Sequence, residues 1–133
     1  MIQMLPLILV ADDDKDFREI IADFLHSKGF QTKTVSNGEE VVEAARELHP
    51  ALVLMDVDMP KKNGIEATFE LQQDPHTKNI KIMYLSNLGD ASWAATTEVN
   101  RRLAKQIGAT DYFKKGGDLE LLVSQIRQHL AQA

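Results

Sequence analysis

The chain has 133 residues, the length of one ordinary domain, with 15 basic and 20 acidic residues and a formal net charge of −5. A direct nucleic-acid-binding surface is not expected, because such surfaces neutralise phosphates with excess positive charge. The chain contains no cysteine, which excludes disulfides and thiolate metal sites and is compatible with a cytoplasmic location. The apolar start has no basic flank and runs into three aspartates, so we expect a buried strand there, neither a signal peptide nor a membrane span.

The first half of the chain is predicted to form two strand–helix pairs. Leu7–Ala11 is apolar throughout, as in a strand that is buried on both faces. Asp14 is a candidate N-cap, and Gly29 lies where a helix C-terminal glycine is common. Asn37 and Gly38 are predicted to open the second helix. Gln31–Val35 is more polar and is predicted to be an edge strand. The two helices between and after these strands carry their apolar residues at helical spacing: Phe17, Ile20, Ile21, Phe24 and Leu25, then Val41, Val42, Ala45 and Leu48.

The second half repeats the alternation three times. The predicted strands are Ala51–Met55, with Asp56 at or just beyond the end, then Ile80–Leu85 and Thr110–Lys114. The predicted helices cover about 65–73 and 91–107, and a last one is capped by Asp118. Strict alternation of strands and helices predicts a single α/β domain over 1–133, with its core at about 7–130. Its fold would be a five-stranded parallel sheet, doubly wound with helices on both faces.

The polar residues that matter most follow the predicted strands. In a parallel sheet the carboxyl ends of the strands share one edge, where ligands bind. Clustered carboxylates repel one another unless a hard cation such as Mg²⁺ joins them, and a carboxylate can itself act as the nucleophile towards a phosphoryl group. A hydroxyl and a lysine would bind the remaining phosphoryl oxygens. The residues at this edge are Asp12, Asp13, Asp56, Asp58, Ser86, Lys114 and Lys115.

Four segments resemble the receiver domains of two-component response regulators, the chemotaxis receiver among them. They are ILVADDDKDFREII, LVLMDVDMPKKNG, IKIMYLSN and GATDYFKKGGDLELL, and they occur in the family's order over about residues 7–130. The resemblance implies the flavodoxin-like strand order 2-1-3-4-5. It also implies that Asp56 is phosphorylated with Mg²⁺ as cofactor.

The resemblance further implies a role for each remaining site residue. Asp13 would bind the Mg²⁺ ion directly and Asp12 through water, while Asp58 would offer its backbone carbonyl. Ser86 would hydrogen-bond the phosphoryl group. In the family pattern an aromatic residue stands three positions before the lysine, so Tyr112 would select Lys115 over Lys114. Tyr112 and Ser86 would then be the switch residues.

Three departures from the family pattern bear on the site. Gly116 replaces the proline that usually follows the lysine, often through a cis bond, so the 115–116 bond is either trans or strained. Asn87 follows the hydroxyl residue where the family usually has a small residue, and it would slow attack by water. The segment between Ser86 and Lys115 is longer than usual, with the extra length around 89–100, on or before the predicted fourth helix, which borders the family's usual signalling face.

As a receiver, the chain would be a signalling phosphoacceptor and not an enzyme in the ordinary sense. Its implied partners are a histidine kinase or histidine phosphotransfer protein and an unidentified downstream protein. A homodimer through the fourth helix, fifth strand and fifth helix is a further possibility. No output domain is expected within 1–133.

Two other functions remain open from the sequence. The Asp56–Asp58 pair also resembles the motif of haloacid-dehalogenase-type phosphatases, although in that family the motif usually stands on the first strand. A receiver-like binding module with a disabled site is the other alternative, which Asn87 and Gly116 keep open. Asp12–Asp14 alone would read as an acidic helix cap, and Trp93 as a core residue or an exposed anchor.

Overall fold

The computed structural model describes residues 5–86, 106 and 108–132. The helix predicted at 91–107 lies outside these residues apart from Gln106, so the predicted fifth helix is α4 below. The strands are β1 (Leu7–Ala11), β2 (Gln31–Val35), β3 (Leu52–Asp56), β4 (Lys81–Ser86) and β5 (Asp111–Lys114). The helices in the described part of the chain are α1 (Lys15–Ser27), α2 (Gly38–Leu48), α3 (Gly64–Gln73) and α4 (Leu119–Leu130).

The strands form one parallel sheet in the order β2-β1-β3-β4-β5, which confirms the predicted doubly wound topology. β2 is an edge strand, which accounts for its polar composition. Asp56 is the last residue of β3 and is paired with Leu85 of β4, one position before Ser86. The carboxyl ends of β3 and β4 therefore place Asp56 and Ser86 at the same edge of the sheet.

Helices cover both faces of the sheet, as predicted. Along β1, Ile8 and Val10 belong to the hydrophobic cluster that contains α1 and α4, whereas Leu9 and Ala11 belong to the cluster that contains α2 and α3. All four side chains are fully buried. This two-sided burial explains why β1 is apolar throughout and does not alternate.

The predicted helix starts and the glycine after α1 are confirmed, but two positions of the predicted apolar stripes, Ile20 in α1 and Leu48 at the end of α2, are exposed. Asp14, Asn37 and Asp118 each accept a backbone N–H of the helix that they precede, and Gly29 has a φ of 96° after α1. Ile20 is 58% exposed, although its spacing from Phe17 suggested burial. It lies about 100° around the helix from the fully buried Ile21, and thus at the margin of the apolar stripe. None of the helices in the described ranges is long and apolar enough to cross a bilayer.

Candidate functional site

Three carboxylates meet at the carboxyl edge of the sheet. Asp12 and Asp13 follow β1, and Asp56 ends β3. One carboxylate oxygen from each of them lies within 4.8 Å of the other two. Asp12 and Asp56 are buried and Asp13 is exposed, so the group has two desolvated oxygen donors and one that faces solvent.

The turn between β1 and α1 fixes the orientation of Asp12. Its Oδ1 accepts the backbone N–H of Asp14 at 2.9 Å, and its carbonyl oxygen accepts Nη1 of Arg18 at 3.2 Å. Asp14 in turn caps α1 by accepting the N–H of Phe17 at 3.2 Å. The three consecutive aspartates therefore have different roles: Asp14 caps the helix, and Asp12 points into the site.

Asp56 is only 7% exposed, and each of its oxygens has a hydrogen-bond donor. Oδ1 accepts the backbone N–H of Asp58 at 3.2 Å, and Oδ2 accepts Nζ of Lys115 at 3.1 Å. Burial, and then the negative charge of Asp12, raise the pKa of Asp56 to about 6 although Lys115 and the Asp58 N–H act in the opposite direction. Binding of a cation or a proton would therefore reduce the unfavourable free energy of keeping this carboxylate ionised and buried.

Two glycines let the loop after Asp56 pack closely. The N–H of Gly64 donates to the carbonyl of Val57 at 2.8 Å, and a Cβ on Gly64 would lie 2.6 Å from the carbonyl oxygen of Asp56. Gly38 opens α2, and a Cβ there would lie 2.0 Å from the carbonyl oxygen of Lys62. The loop that carries Asp58 is therefore held at both places by contacts that only glycine permits.

Lys115 reaches both buried carboxylates, whereas Lys114 is exposed. Its Nζ lies 2.7 Å from Oδ2 of Asp12 and 3.1 Å from Oδ2 of Asp56, and its backbone N–H donates to the carbonyl of Ser86 at 2.8 Å. Burial alone would lower the pKa of Lys115, but its contacts with Asp12 and Asp56 outweigh burial and raise that pKa. The 115–116 peptide bond is trans, one of the two conformations expected from the sequence, and Gly116 has a φ of 86°.

Ser86 and Tyr112, the predicted switch pair, are both buried. Ser86 ends β4, and Tyr112 lies in β5 opposite Tyr84 of β4. Tyr112 belongs to the hydrophobic cluster of α2 and α3. Asn87, Trp93 and the lengthened 89–100 segment lie outside the described residues, so the predictions made for them stay predictions.

Phe17 is a neighbour of the site that the sequence does not indicate. The ring of Phe17 lies under Lys115, with Nζ 4.9 Å from the ring centroid. Helical periodicity assigns Phe17 to the apolar stripe of α1, where it does pack. Nothing in the sequence indicates that its ring also faces a lysine almost a hundred positions away.

The donor set suits a hard divalent cation such as Mg²⁺, which prefers carboxylate oxygens and retains several water ligands. Asp12, Asp13 and Asp56 supply these oxygens. An ionised Asp56 is also a possible nucleophile, and Lys115 supplies a positive charge beside it. The arrangement can therefore hold a cation and place an anionic group next to Asp56.

A sequence model of the response regulator receiver domain matches residues 8–127. The chain is 34% identical over 123 residues to the DNA-binding response regulator MtrA of Mycolicibacterium paratuberculosis, covering 92% of this chain and 50% of that protein. It is 35% identical over 120 residues to response regulator RR06 of Streptococcus pneumoniae, covering 90% of this chain and 51% of that protein. The chain thus spans about half the length of these relatives.

Solved structures show the same fold. A response regulator from Chloroflexus aurantiacus superposes with a TM-score of 0.85 at 26% identity, covering 97% of this chain and all of that one. The receiver domain of the sensor histidine kinase PA1611 from Pseudomonas aeruginosa, which has a magnesium ion coordinated in its active-site cleft, superposes with a TM-score of 0.82 at 22% identity. That match covers 97% of this chain and all of the PA1611 receiver.

Proposed function

The chain belongs to the response-regulator receiver family, a family of signalling domains, and on that premise we propose that Asp56 accepts a phosphoryl group. The donor would be a histidine kinase or a histidine phosphotransfer protein. The observation that carries the proposal is the meeting of three carboxylates within 4.8 Å, with Nζ of Lys115 on Asp56. Membership of this family favours a receiver over the phosphatase alternative.

Each side chain has a definite part in the proposed transfer. One oxygen of ionised Asp56 attacks the donor's phosphorus, and the bond from phosphorus to the donor's nitrogen or oxygen breaks. Lys115 neutralises the oxygens of the incoming group, because its ammonium already lies 3.1 Å from Oδ2 of Asp56. Ser86 would bind another phosphoryl oxygen. The pKa of about 6 leaves Asp56 mostly ionised, and therefore nucleophilic, at neutral pH.

We propose Mg²⁺ as the cofactor, held by Asp12, Asp13 and Asp56 with the backbone carbonyl of Asp58. The oxygen donor set fits this ion, and the PA1611 receiver, which has the same fold, has a magnesium ion in its active-site cleft. When bound, the ion would neutralise negative charge that otherwise accumulates among the carboxylates and the phosphoryl group. Asp12 is held by Asp14 and Lys115, which suits its predicted role of binding the ion through water.

The readout that we propose is conformational and acts through protein contacts. Phosphorylation adds nearly two negative charges at Asp56, which would bias the positions of Ser86, Tyr112 and Lys115. The affected face would comprise β5, α4 and the helix predicted at 91–107, and it is the candidate surface for a target or a second copy. MtrA is a DNA-binding regulator. This chain has a net charge of −5, and we therefore propose that it does not itself contact nucleic acid. We also propose that it acts in the cytoplasm.

The test is intact-mass spectrometry after treatment with acetyl phosphate, with Mg²⁺ or with excess EDTA. We expect one phosphate per chain with Mg²⁺ and none with EDTA. The Asp56→Asn variant should gain none in either condition, and Asp23→Asn on the exposed surface of α1 is the matched control that should label normally. Absence of labelling in the natural protein would support a disabled site, and equal labelling of Asp56→Asn would exclude Asp56 as the acceptor.

A further inference from the structure

The cation–π contact of Phe17 gives the site a component outside the predicted set. We propose that Phe17 is a positioning residue, whose ring holds the Lys115 ammonium beside Asp56 independently of the site's carboxylates. The inference rests on the proposed function of Asp56. The observation that supports it is the position of Nζ of Lys115, which lies 4.9 Å from the centroid of the Phe17 ring. The same Nζ lies 2.7 Å from a carboxylate oxygen of Asp12 and 3.1 Å from one of Asp56.

The ring of Phe17 is held from two directions. Its backbone N–H donates to Oδ1 of Asp14, which fixes the first turn of α1. Its half-buried side chain packs against the hydrophobic cluster of α1 and α4, which includes Ile21 and Leu122. The ring is therefore a fixed surface, and its face attracts a cation through the quadrupole of the π system.

The backbone of Lys115 is fixed by the hydrogen bond from its N–H to the carbonyl of Ser86, and its side chain is only 18% exposed. Its side chain is a flexible four-carbon stem, and it is followed by Gly116 and Gly117. The position of the ammonium therefore depends on what attracts it at the site.

Two of its three attractions are conditional on the charge of the site. Asp12 and Asp56 are also the proposed ligands of a divalent cation, and neutralising them weakens their hold on the ammonium. The ring of Phe17 is uncharged and carries none of these ligands, so its attraction persists. We infer that Phe17 matters most once the carboxylates are neutralised, which is when Lys115 must bind a phosphoryl oxygen.

An aliphatic side chain would fill the space without attracting the ammonium, which makes the inference testable. In saturating Mg²⁺, Phe17→Leu should slow labelling by acetyl phosphate about threefold to tenfold, the range for a partly desolvated cation–π contact. Phe17→Tyr retains a ring and should stay within about twofold of the natural rate. Phe24→Leu is the matched control, because Phe24 is also half-buried in α1 and lies under a lysine, Lys28, at 5.4 Å. It should leave the rate unchanged.

A double-mutant cycle separates positioning from general damage to α1. In the Lys115→Met background no ammonium is present, so adding Phe17→Leu should change the remaining rate by less than about twofold. Urea unfolding of each variant checks that it is folded under the labelling conditions.

The outcomes distinguish this inference from the function on which it rests. If the natural protein does not label at all, the proposed function fails. If the natural protein labels and Phe17→Leu matches it, or if Phe17→Leu slows labelling equally with and without Lys115, only the role of Phe17 is overturned. Equal slowing by Phe24→Leu would also overturn it.

Discussion

Replacing Asp56 with asparagine should stabilise the protein in the absence of metal. Asp56 is buried, and its pKa is raised from 3.8 to about 6, so keeping it ionised in the folded state costs free energy. At about 1.4 kcal/mol per pKa unit, the cost above pH 7 approaches 3 kcal/mol. Asparagine has nearly the same shape and carries no charge. We therefore expect Asp56→Asn to raise the free energy of unfolding by about 1–3 kcal/mol at pH 8 in EDTA.

The pH dependence gives this prediction its sign. Because the folded state binds the Asp56 proton more tightly than the unfolded chain does, the contribution of Asp56 to stability is most favourable at low pH. It is lost as the pH rises from about 3.8 to about 6 and is then constant. The advantage of Asp56→Asn should thus be largest above pH 7 and fall to roughly half at pH 5 and about a fifth at pH 4.

Urea unfolding followed by circular dichroism, in EDTA at pH 8, 5 and 4, measures this difference directly. Asp23→Asn, an exposed substitution in α1, controls for the loss of one negative charge from an acidic protein. Destabilisation of the protein by Asp56→Asn at pH 8 would refute this prediction. So would a difference between variant and natural protein that is the same at all three pH values.

Three further predictions follow from the same structure. Adding Mg²⁺ at about 100 times its Kd should raise the free energy of unfolding by about 2.7 kcal/mol at pH 8. The increase should be smaller below pH 6, because protons then compete with the ion for the buried carboxylate of Asp56. Calorimetry with EDTA as the metal-free reference measures both values. Gly38→Ala should lower the free energy of unfolding, measured in urea, by about 1–3 kcal/mol, because the alanine Cβ would collide with the carbonyl oxygen of Lys62. A more stable variant, as the higher helix propensity of alanine alone would give, would contradict this close packing. Asp74→Asn should destabilise the protein at neutral pH, because the N–H of His76 and the guanidinium of Arg46 stabilise the ionised carboxylate and lower the pKa of Asp74. The stability that ionised Asp74 contributes is present above pH 4 and is lost in acid. An acid-unfolding curve that is the same for variant and natural protein would refute this prediction.

The sheet could be predicted from the sequence because each of its signals is local. The burial of β1 on both faces shows in its uninterrupted apolar run, and the helix starts show in Asp14, Asn37 and Asp118, whose side chains cap within three residues. The strand order came from resemblance to a family. Periodicity alone predicts that strands are parallel, but it does not say which strands are neighbours.

The convergence of the site residues could be predicted from the strand ends, but other contacts between separate elements could not. Periodicity could not show that Phe17 faces Lys115 or that Gly38 touches Lys62, since both contacts depend on how separate elements dock. The exposure of Ile20 likewise depends on how wide a stripe of α1 the sheet covers. Selection of Lys115 over Lys114 rested on the family pattern, and the structure brings Lys115 to the two buried carboxylates.

Locating the modified residue is the sharpest test of the proposal that Asp56 carries the phosphoryl group. The protein would be treated with acetyl phosphate and Mg²⁺, reduced with borohydride to convert aspartyl phosphate to homoserine, digested and sequenced by tandem mass spectrometry. We expect homoserine at position 56, with Asp12, Asp13 and Asp58 unchanged. Homoserine at one of those three positions, or at none in a chain that gained phosphate, would contradict it.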